Sequence, residues 1–309
     1  MEHGRGLERM SRSSIAGIVG LGKMGAPIAR RLLHQGVSLV AFDIDSEALQ
    51  RIEEQGATAA DSPRDVTNQC DFILTVLPNG PHVESVADGD TGILATDNAD
   101  LNWLEMSTID PEVSKGLGKR CQKNGIRFLD TAIGGLTVDA EAGKLLFMVG
   151  GTDEEFDIAS GFLTHLGRCV HCGPTGSGVT IKLINNQLAG VTLAATIEAL
   201  LIGRKTGLRF KAMKEILSGT AADNAHLHRA LPERIIPRDF DDGFSMDLMI
   251  KDAGLAIDLA DRLQSPNKLG KLVQDIRQGA IDKGWNGKDT TIIAKVFEEM
   301  ANADLAFDE

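Results

Sequence analysis

The sequence predicts an α/β protein of two domains: a mostly parallel sheet with helices on both faces, followed by an all-helical domain. Two observations carry this prediction. Short apolar runs alternate with helix-length segments over the first half of the chain. From residue 179 to residue 309 the pattern is helical, with no convincing run of strands. The length of 309 residues suits two domains, at roughly 150 residues each.

The first elements form one βαβ unit. Residues 15–19 are predicted as a buried strand, residues 25–35 as a helix that stops at Gly36, and residues 38–42 as a second strand. Further strands are expected at the later apolar runs, which cover residues 72–77, 103–106, 128–132, 145–149 and 169–171.

A cluster of turn residues, Gly173-Pro-Thr-Gly-Ser-Gly178, separates the two patterns. We therefore expect a first domain over residues 14–175 and a helical second domain over residues 176–309.

Residues 179–203 predict a long helix in which only Lys182 and Glu198 are charged. A helix that is apolar nearly all round must be buried, either against the first domain or against another subunit. Four polar side chains argue against this helix spanning a lipid bilayer, so we expect no membrane partner. These side chains are Asn185, Asn186, Gln187 and Thr192.

The charge balance argues against polyanionic partners. The chain has 32 Lys and Arg against 44 Asp and Glu, a net charge of −12. A field of that sign repels phosphate backbones and anionic lipid, so we expect no nucleic-acid partner.

The four cysteines are too few and too scattered for a disulfide framework in a chain of this length. A reducing compartment, and hence a cytoplasmic location, fits best. Cys169 and Cys172 form an isolated C-x-x-C, but no second pair supplies the other ligands of a zinc site, so we expect no metal. Arg5, Arg9 and Arg12 are features of a transit peptide, whereas Glu2 and Glu8 argue against one. A cytoplasmic extension is expected over residues 1–13.

The segment Gly20-Leu-Gly22-Lys-Met-Gly25 matches G-x-G-x-x-G. The motif alone is weak in a glycine-rich chain, but here it follows a predicted strand and opens a predicted helix. Gly20 would permit the tight turn, Gly22 would let the backbone approach a pyrophosphate, and Gly25 would allow close helix–strand packing. The start of the helix adds free N–H groups and a positive potential. We infer a dinucleotide site.

Asp43 stands at the end of the second predicted strand, where an acidic residue can accept hydrogen bonds from the adenosine ribose hydroxyls. Its charge would repel a 2′-phosphate, and no arginine stands beside it in Ile44-Asp45-Ser46 to neutralise one. This predicts NAD over NADP. A solvated strand end is the alternative interpretation of Asp43.

The segment Lys182-Leu-Ile-Asn185-Asn186 places a lysine beside two amides, because positions i, i+3 and i+4 share one face of a helix. Desolvation and a nearby helix N-terminus both disfavour the ammonium, which would lower the pKa of Lys182 toward the range useful for acid–base chemistry. The alternative is a lysine that reaches the surface while the asparagines cap neighbouring backbone.

Six motifs occur in order along the chain: GLGKMGAPIARRLLHQG from Gly20, LPN from Leu77, STIDP from Ser107, DTAIGGLTVDAEAG from Asp130, KLINN from Lys182 and FSMDLMIKDAGLAID from Phe244. Together they resemble the β-hydroxyacid dehydrogenase family, whose members include 3-hydroxyisobutyrate dehydrogenase, tartronate semialdehyde reductase and 3-sulfolactaldehyde reductase. The likeness runs from about residue 15 to residue 300. KLINN, and SGTAA from Ser218, look most similar to the sulfolactaldehyde reductase branch.

The resemblance implies a Rossmann-like N-terminal domain that binds NAD, and an all-α C-terminal domain for substrate binding and oligomerisation, joined by a long helix. It implies a homodimer or homotetramer acting on a small anionic substrate. Lys182 would be the catalytic acid–base group. The cofactor would contact Gly20, Gly22, Lys23, Met24, Gly25, Asp43, Leu77, Pro78, Thr108 and Lys251, the last closing over it from the second domain. The substrate would contact Gly134, Gly135, Asn185 and Asn186.

The substrate loop departs from the family pattern. Most members carry D-A-P-V-S-G-G, and here the string is Asp130-Thr-Ala-Ile-Gly134-Gly135-Leu136. The sulfolactaldehyde reductases share the first change but have an arginine, the expected sulfonate anchor, where this chain has Gly135. Its absence argues against a sulfonate and leaves the anionic end of the substrate to backbone amides, the two asparagines or another residue.

The expected reaction is reversible hydride transfer between NAD and a small β-hydroxy acid or its semialdehyde. An alternative within the family is a reductase of the 3-sulfolactaldehyde or 4-hydroxybutyrate type. Imine reductases share the architecture but generally replace the lysine. A noncatalytic binding module on this fold would also lack the lysine and would carry basic extensions, so Lys182 argues against both.

Overall fold

The structure, a computed structural model, describes residues 14–241 and 243–306. It divides into two compact units, Met1–Lys182 and Leu183–Glu309, which part within the helix that follows the expected domain boundary. The extension expected over residues 1–13 lies outside the described residues.

The first unit contains an eight-stranded sheet in the order β3-β2-β1-β4-β5-β6-β7-β8. All neighbouring strands are parallel except β6 and β7, which confirms the predicted mostly parallel α/β sheet. The strands are β1 Ile15–Val19, β2 Ser38–Phe42, β3 Thr58–Ala59, β4 Phe72–Thr75, β5 Asn102–Glu105, β6 Arg127–Gly134, β7 Leu145–Gly150 and β8 Gly167–Gly173.

Helices cover both faces of this sheet, as expected for strands that are buried on two sides. Ile18 packs into the core on one face and its neighbour Val19 into the core on the other, because successive side chains of a strand alternate. The helices of this unit are α1 Gly25–His34, α2 Ser46–Glu53, α3 Pro63–Thr67, α4 Gly80–Ala87, α5 Pro111–Lys123, α6 Thr137–Ala142 and α7 Asp153–Leu163, with a 3₁₀ turn at Ile93–Ala95.

The registers of the strands align one row of residues across the sheet. We call it the carboxyl-edge row, and it consists of Phe42, Val19, Thr75, Glu105, Asp130, Gly150 and Gly173. The row holds the last residues of β2, β1, β4 and β5. In open parallel sheets, ligands bind in the crevice outside these strand ends.

Strand β6 is longer than its neighbours and changes partner at Asp130. Residues 127–130 pair with β5 in parallel, and residues 130–134 pair with β7 in antiparallel. The reversal of β7 brings the ends of β7 and β8 to the carboxyl-edge row, so the chain leaves β8 at Gly173 on the same edge as the glycine turn.

The second unit is helical, as predicted for this half of the chain. Its core includes Ile197, Leu231, Met246 and Phe297, all nearly inaccessible to solvent. The helices are α8 Ser177–Lys205, which begins in the first unit, α9 Phe210–Ser218, α10 Ala225–His228, α11 Met246–Arg262, α12 Lys268–Ile281 and α13 Ile293–Ala301, with a π turn at Leu231–Ile235 and a 3₁₀ turn at Thr290–Ile292.

Helix α8 is more apolar than the sequence analysis allowed. An 18-residue window within it reaches a mean hydropathy of 1.3, so by length and composition alone it could cross a membrane. Half of that window is buried within the protein. The core helix of a soluble protein passes the same test, and composition alone does not separate the two cases.

Candidate active site

The glycine turn joins β1 to α1, and its three glycines meet different surroundings. Gly20 adopts a positive φ of 98°, and a Cβ there would overlap the carbonyl oxygen of Val76. A Cβ on Gly25 would overlap the carbonyl oxygen of Gly20, so the turn closes against its own helix. A Cβ on Gly22 would meet no described atom within 4 Å. Open space at Gly22 beside a helix start fits a pyrophosphate.

Asp43 follows β2 and holds the glycine turn in place. The backbone N–H of Leu21 donates to its Oδ2 at 2.5 Å, and the N–H of Asp45 donates to its Oδ1 at 2.8 Å. A carboxylate oxygen has a second lone pair, so both oxygens can accept a further hydrogen bond. The half-buried Asp43 can therefore serve the turn and a ribose together.

Leu77 and Thr108, both predicted cofactor contacts, lie in the loops that follow β4 and β5. The backbone N–H of Leu77 donates to the hydroxyl of Ser107 at 2.9 Å, and the N–H of Ser107 donates to Glu105 Oε1 at 2.8 Å. The two loops are thus joined by the Ser107 hydroxyl, and Ser107 is itself held by the carboxyl group of Glu105 in the carboxyl-edge row. Pro78 is exposed beside them.

Glu105 is a buried group that the sequence analysis missed. Its side chain is 1% exposed, and its Oε2 has no hydrogen-bond partner. Burial raises the pKa of Glu105 to about 8, against the hydrogen bonds from Ser107. The carboxyl is therefore largely protonated at neutral pH. The only sequence signal was an acidic residue directly after an apolar run, Trp103-Leu-Glu105.

The substrate loop leaves the sheet at the end of β6. Gly134 is the last residue of the strand, and the exposed Gly135 has a φ of 127°, which favours glycine. The N–H of Leu136 already donates to Asp139 Oδ2 at 2.8 Å. Gly134 is also paired with Leu146 of β7, whereas Gly135 lies beyond the strand pairing.

Helix α6, which follows the substrate loop, packs against α1, the helix that begins at the glycine turn. Arg30 Nη2 lies 2.5 Å from Glu141 Oε1, and a Cβ on Gly143 would meet the Arg31 guanidinium within 2.5 Å. The positive φ of 67° at Gly143 ends α6 and returns the chain to β7.

Lys182 lies in the second turn of α8, half-buried. The first turn is fixed by Asp130 of the carboxyl-edge row, which accepts from the N–H of Gly176 at 2.6 Å and of Val179 at 2.8 Å. This brings the start of the lysine-bearing helix to the edge that carries the glycine turn and the Leu77 and Thr108 loops. Asp130 is the second carboxyl that the sequence analysis missed.

The predicted site residues of the second unit, Asn185, Asn186 and Lys251, form a polar cluster with Asp252. Asn185 Nδ2 donates to Asn186 Oδ1 at 3.1 Å, and Asn186 Nδ2 donates to Asp252 Oδ2 at 2.7 Å. Lys251 Nζ lies 3.0 Å from Asp252 Oδ1. Asn186 and Asp252 are buried and brace α8 to α11, whereas Asn185 is exposed. Asp252 gave no signal in the sequence beyond its place in KDAGL.

Lys23 and Met24 lie in the glycine turn, Lys23 exposed and Met24 half-buried against the core. Cys169 and Cys172 are free thiols on β8, at the edge of the sheet. Across residues 14–241 and 243–306, no group of three His, Cys, Asp or Glu side chains could hold a metal ion.

Comparison with known proteins identifies both units. Residues 15–173 match the family described as the NAD binding domain of 6-phosphogluconate dehydrogenase, and residues 176–297 match the NAD-binding domain of NADP-dependent 3-hydroxyisobutyrate dehydrogenase. The chain belongs to the β-hydroxyacid dehydrogenase family. The family assignment covers nearly the whole described chain.

Relatives of known activity agree with this assignment. The chain is similar to 2-(hydroxymethyl)glutarate dehydrogenase of Eubacterium barkeri, at 33% identity over 96% of this chain and 99% of that protein. It is also similar to 3-sulfolactaldehyde reductase of Escherichia coli, at 33% identity over 89% and 93%. Among solved structures, Mycobacterium tuberculosis 3-hydroxyisobutyrate dehydrogenase with L-serine aligns with a TM-score of 0.85 at 26% identity, covering 93% of this chain and 99% of that one.

The protein is therefore a nicotinamide-dependent β-hydroxyacid dehydrogenase with a Rossmann-like N-terminal domain. The sequence predictions of family, fold class, enzyme class and nicotinamide cofactor are confirmed. The substrate, the choice between NAD and NADP, and the roles of individual residues stay predictions.

Proposed function

We propose that the protein transfers hydride reversibly between NAD and a short β-hydroxy acid or its semialdehyde, with Lys182 as the acid–base group. The single observation behind this proposal is the position of Lys182. Lys182 lies one turn into α8, and the first turn of α8 is hydrogen-bonded to Asp130. Asp130 belongs to the carboxyl-edge row, at the same edge of the sheet as the glycine turn. Ligands of open α/β sheets bind outside that edge.

The cofactor would lie with its pyrophosphate at Gly22 and its adenosine ribose at Asp43. A negative charge at Asp43, with an isoleucine that is 89% exposed as the next residue, offers nothing to neutralise a 2′-phosphate. We therefore propose NAD as the preferred cofactor. When bound, the nicotinamide accepts or returns the hydride, and the protein supplies position and proton transfer.

Lys182 would move the proton of the reacting oxygen. In oxidation the neutral amine accepts the hydroxyl proton of the substrate; in reduction the ammonium donates it and stabilises negative charge on that oxygen. The substrate carboxylate would meet the backbone N–H groups of Gly134 and Gly135, where no side chain stands in the way.

The activity can be tested by following NADH formation with 3-hydroxyisobutyrate, glycerate, 4-hydroxybutyrate and sulfolactate, each with NAD and with NADP. We expect turnover with a short β-hydroxy acid and higher kcat/KM with NAD. Preference for NADP would overturn the role given to Asp43, and preference for sulfolactate would overturn the argument from Gly135.

The role of Lys182 is tested by Lys182→Ala. General acid–base catalysis typically contributes about 10²- to 10⁴-fold, so we expect kcat to fall by at least that order with little change in NAD affinity. Lys119→Ala, on the exposed side of α5, makes the same charge change away from the site and serves as the control. Near-normal turnover of Lys182→Ala would remove the assignment.

A further inference from the structure

Asp130 lies where several elements of the first unit meet. It pairs with Glu105 at the end of β5 on one side and with Gly150 at the end of β7 on the other. The chain beyond β8 then passes its carboxyl group as α8 begins. The residue is 1% exposed, so this carboxyl belongs to the interior of the unit.

The carboxyl group of Asp130 caps α8 from outside the helix. The residue before α8 is Gly176, which has no side chain to accept from the first free N–H groups. Asp130 accepts instead, through Oδ1 from Gly176 N at 2.6 Å and through Oδ2 from Val179 N at 2.8 Å.

The surroundings are shaped around this carboxyl group. A Cβ on Gly150 would overlap Asp130 Oδ1, and a Cβ on Gly178 would come within 2.9 Å of its Oδ2. Two glycines therefore leave room for the group on opposite sides.

We propose that Asp130 is a positioning residue for Lys182: its carboxylate fixes the first turn of α8 and favours the ammonium form of the lysine one turn further on. This inference rests on the proposed acid–base role of Lys182. It adds a requirement that the sequence did not suggest, because the positive end of a helix alone would disfavour an ammonium nearby.

The coupling follows from helix geometry. Val179, which is bonded to Asp130, and Lys182 are three residues apart, about 4.5 Å along the axis at 1.5 Å per residue. Side chains of a helix generally lean toward its N-terminus, which would carry the Lys182 amine toward the turn that the carboxylate caps. Two unit charges separated by roughly 8 Å at an effective dielectric constant of about 20 interact by about 2 kcal/mol, which shifts a titration by about one and a half pH units.

Other titratable groups around Asp130 do not replace its charge. Burial raises the pKa of Glu105 to about 8 and raises that of the Cys172 thiol, so both are largely neutral near pH 7. Lys115 of α5 reaches Gly176 but is exposed and paired with Glu112 at 2.8 Å. Burial raises the pKa of Asp130 itself to about 6, against the N–H groups of Gly176 and Val179, so it is mostly ionised at pH 7.

The test replaces the charge and keeps the shape, with Asp130→Asn in the full-length protein. The first readout is the pH dependence of kcat/KM for hydroxy acid oxidation. This parameter rises as Lys182 loses its proton, and we expect the rise to move down by about one and a half pH units in Asp130→Asn. The control is Gly176→Ala, which strains the same turn at a φ of 95° without changing charge and should leave the position of the rise unchanged.

A second readout does not depend on turnover. The rate at which Lys182 is labelled by acetic anhydride, measured by mass spectrometry across pH without cofactor, follows its neutral fraction. We expect the labelling midpoint of Asp130→Asn to fall by the same amount, with that of Gly176→Ala unchanged. If Asp130→Asn does not fold, the smaller neutral variant Asp130→Ser is measured in its place.

A neutral variant that folds and keeps the wild-type labelling midpoint would overturn the inference and leave Asp130 a structural cap. An equal shift in Gly176→Ala would also overturn it, because helix distortion would then explain the effect. Failure of the proposed function looks different: Lys182→Ala would keep its turnover, while the labelling midpoints would still report on Asp130.

Discussion

Glu105 connects the loops that follow β4 and β5 to the interior of the sheet through hydrogen bonds. The indole N–H of Trp103 donates to Thr75 Oγ1 at 2.8 Å, which leaves the Thr75 hydroxyl to donate to Glu105 Oε1 at 3.4 Å. Ser107 donates to the same oxygen. Oε1 of Glu105 therefore accepts two hydrogen bonds, whereas the buried Oε2 has no partner. A buried carboxyl group in such surroundings is more stable in its protonated form than in its ionised form.

This protonation makes stability depend on pH. The Glu105 carboxyl has its ordinary pKa near 4.5 when unfolded and about 8 when folded. Between those values unfolding releases a proton, so the free energy of unfolding falls as pH rises. Glu105→Gln cannot ionise, and we expect its stability advantage over the wild type to grow from about pH 5 to about pH 8.

Urea unfolding at three pH values across that window measures the effect, and Glu84→Gln, exposed on α4, is the matched control. A stability difference between Glu105→Gln and the wild type that does not change with pH would show that Glu105 is ionised when folded.

Sequence reasoning could propose Lys182, Asp43 and the glycines because each belongs to a local pattern, and their roles stay predictions. It missed Glu105, Asp130 and Asp252 because what matters for them is burial and partners far along the chain. Asp130 meets Val179, 49 residues later, and Asp252 meets Asn186, 66 residues earlier. No local spacing reports such pairs.

At the scale of the element, two glycines of the glycine turn, Gly25 and Gly22, have different surroundings, so their absence of a side chain serves different purposes. Gly25 has no room for a side chain, because a methyl group there would overlap the backbone of Gly20. Gly22 is open on the side where a cofactor would approach.

These requirements predict opposite outcomes for two alanine variants. Gly25→Ala should lower the free energy of unfolding by about 1–3 kcal/mol or more through overpacking. Gly22→Ala should fold with nearly wild-type stability but raise the KM for NAD by about tenfold or more, because the methyl group would hold the backbone away from the pyrophosphate. Thermal unfolding and NAD titration of both variants check this. A stable Gly25→Ala, or a Gly22→Ala with unchanged NAD affinity, would contradict the assignment.

The seven predicted strands end within two residues of their observed ends, because a buried strand is a short apolar run. The direction of β7 was not predicted, since an apolar run contains no information about orientation. The two-residue β3 was missed because it is too short to show alternation.

At the scale of the whole molecule, α8 contributes residues to both compact units, because the division between them falls after Lys182. The composition of this segment predicted the length of the helix but not the position of that division. Ile184, Leu188 and Ile202 of this helix are more than half exposed. Such a face agrees with the expected homodimer or homotetramer, which stays a prediction.

The contact of Arg30 with Glu141 links two parts of the first unit that chemistry would treat as separate. Helix α1, which starts at the glycine turn, also contacts α6, the helix that follows the proposed substrate loop. On the proposed assignments, the cofactor and the substrate acid would therefore depend on the same helix. On the proposed assignments, we expect substitutions on the Arg30 face of α1 to change kcat/KM for the hydroxy acid as well as the affinity for NAD.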